Sequence, residues 1–129
     1  MDYKELYDIA LEATKNAYTP YSHFNVGAAL LTDDDKVYTG VNIENASYGG
    51  TICAERTAMV KAISEGHRKF KAIAVAAVSE GKEQVSSPCG ICRQFIFEFG
   101  DDIDVIFGSD RESLEIFKIK DLLPGGFRL

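Results

Sequence analysis

The chain has 129 residues, 46% apolar and 26% charged, with a net charge of −6. That composition suits one globular domain with a sizeable core, and it excludes a disordered tail, a collagen-like chain and a disulfide mini-scaffold. No Lys/Arg cluster points to nucleic acid, and no apolar run approaches the roughly 18–20 residues of a membrane helix, so neither partner is expected. The opening Met1-Asp2-Tyr3-Lys4-Glu5 lacks a basic and then apolar leader, which predicts a cytoplasmic protein.

Tyr3, Leu6, Tyr7, Ala10, Ala13 and Ala17 share one helical face, predicting a helix over 3–17 that Thr19-Pro20 stops. Strands follow over 25–32 and 36–43, joined as a hairpin by a turn at Asp33-Asp34-Asp35. Residues 44–50 read as a polar, glycine-ended loop. Thr51 is the expected cap of a helix from about 53 to 65, with Gly66 as its stop. The nearly continuous apolar run 70–79 is a central strand covered on both faces, and 79–86 is a loop.

Ser87-Pro88 opens a third helix, with Pro88 at the first helical position and Gly100 at the end. Short strands follow over 104–108 and 115–120, then a turn at Leu122-Leu123-Pro124. The last two strands are linked by about six residues, too few for a parallel crossover, so they run antiparallel. The order α-β-β-α-β-α-β-β predicts an α/β fold. It is a three-layer α-β-α sandwich, a five-stranded mixed sheet with helices on both faces, as one domain over 1–129.

Three cysteines, an odd number, suit metal ligation or catalysis better than a disulfide framework in a reducing cytosol. Cys53, Cys89 and Cys92 all fall at predicted helix N-termini, where free N–H groups favour the thiolate that binds zinc. Cys89 and Cys92 are three apart and share one turn. Three protein ligands plus water describe a catalytic zinc site, whereas a structural one is closed by four. Glu55 is the candidate proton shuttle for that water. Positions i and i+2 do not share a helix face, so this reading requires Cys53 in an irregular first turn. A guanidinium on the sulfurs would offset their charge; Arg56 and Arg93 are candidates, and Arg56 is favoured. Cys89-Gly90-Ile91-Cys92 taken alone also suits a dithiol redox protein, and the cluster also suits a structural zinc domain.

Cys53-Ala54-Glu55 followed by Pro88-Cys89-Gly90-Ile91-Cys92 resembles the zinc signature of the cytidine deaminase superfamily. The resemblance extends over nearly the whole chain. It includes Pro20-Tyr21-Ser22-His23-Phe24-Asn25-Val26-Gly27-Ala28-Ala29-Leu30, the segment Gly40-Val41-Asn42-Ile43-Glu44-Asn45-Ala46-Ser47-Tyr48, residues 87–94 and the tail with Leu122-Leu123-Pro124 and Phe127. It implies the small homotetrameric, all-cysteine branch, with one Zn2+ per chain on Cys53, Cys89 and Cys92. The implied activity is hydrolytic deamination of cytidine and 2′-deoxycytidine in pyrimidine salvage, water adding at C4 with Glu55 as the proton carrier. Asn42 and Glu44 would bind the ribose 3′-hydroxyl, Phe24 the base, and the Ala54 N–H its carbonyl. Ala46, Tyr48 and Phe127 would reach a neighbouring subunit's site, so that active sites are shared. The alternative implied substrate is another aminopyrimidine nucleoside such as blasticidin S. A neutral nucleoside needs a few hydrogen-bonding groups and a stacking ring rather than a cationic pocket, and Asn42, Glu44 and Phe24 supply them.

Overall fold

A computed structural model describes residues 1–129. Helix α1 (Tyr3–Ala13) is capped by Asp2, whose carboxylate accepts from the Lys4 N–H. It is shorter than the predicted 3–17. Thr14 turns its hydroxyl back onto the Leu11 carbonyl at 2.6 Å, and the chain tightens into a 3-10 turn over Thr14–Asn16. Ala17 is already extended, and Tyr18 bridges to Ile43.

Strands β1 (Phe24–Thr32) and β2 (Val37–Val41) form the predicted hairpin. β2 stops before Asn42, whose amide takes over the pairing with β1. Its Oδ1 accepts from the Val26 N–H and its Nδ2 donates to the Phe24 carbonyl, both at 2.9 Å. Ile43 pairs with Ile52, which keeps the chain extended up to Cys53. Cys53, rather than the expected Thr51, therefore stands at the cap position of helix α2 (Ala54–Ser64). Gly66, at φ +102°, lies just past its end as expected.

Strand β3 (Phe70–Ser79) is central. The predicted loop after it contains a further strand, β4 (Lys82–Gln84), which folds back on β3. The two-residue turn is Glu80-Gly81, both at positive φ. Glutamate seldom adopts that conformation, so the sequence carries only half a hairpin signal there. The sheet thus has six strands rather than five, in the order β2-β1-β3-β5-β6 with β4 beside β3.

Helix α3 (Gly90–Phe97) starts after Cys89, so Pro88 lies outside it instead of at its first position. The Arg93 Nε donates to the Pro88 carbonyl at 2.8 Å and holds that peptide in place ahead of an extended Cys89. Strand β5 (Asp104–Gly108) runs parallel to β3 and antiparallel to β6 (Leu114–Lys118), as the short link requires. β6 ends earlier than predicted because Ile119–Leu122 winds into a one-turn helix, α4.

Alternation along β1 and β3 serves two cores. Ala29, Leu31, Ala72, Ala74 and Ala76 pack with Leu6, Tyr7 and Ala10 of α1. Ala28, Leu30, Ile73 and Val75 pack with Ala58, Met59, Ile96 and Ile119 from α2, α3 and α4. Helices therefore cover both faces. Gly40 of β2 lies against α2 so closely that a Cβ there would stand 2.3 Å from the Ala58 nitrogen and 2.5 Å from the Ala54 carbonyl oxygen. This contact sets the first turn of α2 on the sheet. No helix is long and apolar enough to cross a membrane.

Candidate active site

Helices α2 and α3 pack on the same face, and their N-termini bring Cys53, Cys89 and Cys92 together. All three sulfurs lie within 4.8 Å of one another, and Cys53 Sγ is 3.8 Å from Cys89 Sγ. Thiolates at the usual zinc–sulfur distance in a tetrahedron stand roughly 3.8 Å apart, so the cluster fits the ion. A disulfide would need about 2 Å, and all three cysteines are free. Cys92 is buried, Cys53 half-buried and Cys89 exposed, leaving one side of the cluster open.

Cys53 is extended at φ −77° and ψ 156°, while Glu55 lies in the first helical turn. This resolves the i, i+2 difficulty: both side chains line one cleft of about 120 Å³, with Ala54, Cys89, Asn42, Val26, Ser86 and Ser87. Burial pushes the Glu55 carboxyl up to about 7, aided by the negative Cys53. Glu55 is 3% exposed, and a carboxyl poised there suits proton transfer in both directions. The Cys53 thiol is pulled down to about 5, first by the Cys92 thiol, then by Arg56 and Cys89. Arg56 Nη2 donates to Cys53 Sγ at 3.7 Å. Arg93, the other candidate, does not reach the sulfurs: it donates to the Pro88 and Leu122 carbonyls and ties α3 to α4.

The remaining predicted residues divide. Asn42 and Ala54 line the cleft. Ala54 is the first residue of α2, so its N–H has no intrahelical acceptor. Glu44 and Tyr48 line a separate hollow of about 350 Å³ with Tyr21, Ser22 and Thr51. Phe24 is half-buried and packs on the edge of the core. Ala46 is exposed, and Phe127 is 69% exposed with its carbonyl accepting from Gln94 Nε2 at 3.2 Å. Neither lines this chain's own cleft. Sequence reasoning assigned no role to Val26, Ser86 and Ser87 in the cleft, or to Tyr21 and Ser22 around Glu44. The position of Ser86 and Ser87 just before Pro88-Cys89 was the available signal.

A three-layer α/β/α domain with a three-thiolate cluster open on one side, and a buried carboxyl beside it, defines a catalytic zinc protein. The family described as "Cytidine and deoxycytidylate deaminase zinc-binding region" matches residues 1–109. A "Probable cytidine deaminase" of Dictyostelium discoideum is 53% identical over 120 residues, 93% of this chain and 80% of that protein. A "Cytidine deaminase" of Sporosarcina psychrophila is 48% identical over 128 residues, 98% of this chain and 92% of that one. The crystal structure of cytidine deaminase from Burkholderia pseudomallei superimposes with a TM-score of 0.90 at 42% identity, covering 98% of this chain and 100% of that one. A "Blasticidin-S deaminase" of Bacillus cereus is more distant, 30% identical over 125 residues, 93% of this chain and 88% of that protein. The chain belongs to the cytidine and deoxycytidylate deaminase family, and zinc is its metal.

Proposed function

We propose that this protein hydrolyses cytidine and 2′-deoxycytidine to uridine and 2′-deoxyuridine, releasing ammonia. The observation that carries this reading is the buried Glu55 carboxyl sharing a cleft with Cys53, Cys89 and Asn42. Bound by Cys53, Cys89 and Cys92, zinc would supply a Lewis acid with one open position for water. Glu55 takes the proton of the attacking water, delivers it to N3 of the pyrimidine, and carries the second proton to the nitrogen leaving C4. Water adds, ammonia departs, and the carboxylate is regenerated. Arg56 offsets part of the thiolate charge. The Ala54 N–H would meet the base carbonyl, and the Phe24 ring would pack on the base.

The cleft of about 120 Å³ accommodates a base and not a whole nucleoside, so the sugar extends outward. Asn42 keeps one amide hydrogen and one lone pair after bonding β1, enough to meet the 3′-hydroxyl. Glu44 is ionised and would take the same hydroxyl while repelling a 5′-phosphate. Ala46, Tyr48 and Phe127, exposed in a single chain, suit contacts to the site of a neighbouring copy in a homotetramer. The protein would act as one domain over 1–129, in the cytoplasm, in pyrimidine salvage.

The test is ultraviolet loss of cytidine and deoxycytidine with purified protein of measured zinc content. Turnover of both, with one ammonia per uridine, is expected. Full zinc loading without cytidine turnover would move the substrate to another aminopyrimidine, such as blasticidin S.

A further inference from the structure

The Glu44 carboxylate is held by the loop ahead of β1. Its Oε1 accepts from the Tyr21 N–H at 3.0 Å and the Ser22 N–H at 3.1 Å, and its Oε2 accepts from the Ser22 hydroxyl. Ser22 Oγ in turn accepts from the Phe24 N–H at 3.1 Å. A carboxylate offers about four acceptor directions. Three are taken, two on Oε1 and one on Oε2. The free direction is on Oε2, the atom that Ser22 fixes.

The hydroxyl cannot rotate away without loss. Its hydrogen is committed to Glu44 and one lone pair to Phe24, so Ser22 joins the residue proposed to read the sugar to the strand start that carries the base-packing ring. The loop that presents Ser22 is itself closed. The His23 N–H donates to the Thr19 carbonyl at 3.0 Å, Thr19 bonds Asn25 through their side chains, and His23 stands at φ +56°. A non-glycine residue in that region marks a turn held by its surroundings.

We propose that Ser22 is a positioning and specificity-determining residue, whose hydroxyl aims the free acceptor of Glu44 Oε2 at the 3′-hydroxyl of the nucleoside. This rests on the reading of Glu44 as a ribose contact. The same bond keeps the Glu44 carboxyl below its usual range, so it stays an acceptor through the neutral range.

The experiment compares kcat/KM for cytidine and 3′-deoxycytidine in zinc-loaded wild type, Ser22→Ala, Ser22→Thr, Glu44→Gln and the Ser22→Ala/Glu44→Gln double variant. Ser22→Ala is expected to lose about tenfold on cytidine and less than twofold on 3′-deoxycytidine, a size set by one hydrogen bond. Ser22→Thr retains the hydroxyl and should recover discrimination. The double variant should be no worse than Glu44→Gln alone, because both act on one contact. Equal losses on the two substrates, or additive losses in the double variant, overturn the proposal while leaving Glu44 in place. Failure of Glu44→Gln to separate the substrates overturns the ribose reading and the proposal with it. Should Ser22→Ala not fold, Ser22→Cys, a weaker donor, replaces it, and unchanged discrimination there overturns the proposal.

Discussion

Arg56 Nη2 lies 3.7 Å from Cys53 Sγ, one turn into the helix that Cys53 opens. The cation and the thiolate are thus set by three residues of local sequence. Arg56 Nε is buried without a hydrogen-bond partner, so the guanidinium is held mainly by the sulfur side. Arg56→Gln should weaken zinc binding by roughly 10–100-fold, as measured by competition with a chelator. Unchanged zinc affinity would show that the sulfurs need no compensating charge.

Zinc should mask the cysteines. With metal bound, none of Cys53, Cys89 and Cys92 should react quickly with a thiol reagent. After chelation all three should react, buried Cys92 last. Fast reaction of Cys89 and Cys92 before chelation would bring the dithiol redox reading forward.

Gly40→Ala should be costly out of proportion to one methyl group. The new Cβ meets backbone atoms of Ala54 and Ala58, which cannot swing aside as a side chain would. A loss of about 1–3 kcal/mol is expected from denaturant midpoints, with reduced zinc content because the first turn of α2 moves. A stable variant with full zinc would show that α2 is not positioned by this contact.

Tyr7 makes stability sensitive to alkali. Its ring is fully buried, its hydroxyl has no partner, and burial raises it from 10 to about 12, with Glu83, Asp110 and Asp8 adding to the rise. Below pH 10 the phenol is neutral in both states and its contribution to stability is intact. Between pH 10 and 12 the unfolded chain ionises first, so stability falls as pH rises, by at most about 3 kcal/mol. Tyr7→Phe should be neutral or mildly stabilising at pH 7, since no hydrogen bond is lost. It should also flatten the urea midpoint between pH 9 and about pH 11.5. An equal alkaline fall in the variant would assign the effect to other groups.

Much of this arrangement is legible in the chain because local rules agree with the fold. The β3 run, the antiparallel β5–β6 link and the clustering of Cys53, Cys89 and Cys92 at two helix starts follow from apolar pattern, loop length and helix-terminus chemistry. The errors have a common cause in tertiary contacts. Thr51 is a good capping residue, but the Ile43–Ile52 bridge keeps it extended. Glu80 turns at positive φ because β4 pairs with β3, which its residue type does not announce. The predicted strand 36–43 includes Asn42, but β2 ends at Val41 and the Asn42 side-chain amide fastens β1 instead. The Ser22 bond to Glu44 spans 22 residues and leaves no local pattern.

The most direct test of the account is the deamination rate of Glu55→Ala at measured zinc stoichiometry. The buried carboxyl is assigned the proton transfers and no part in holding metal. The variant should retain one zinc per chain, bind cytidine, and lose roughly 10²–10⁴-fold in kcat. A zinc-loaded Glu55→Ala protein that deaminates cytidine at the wild-type rate would contradict the account.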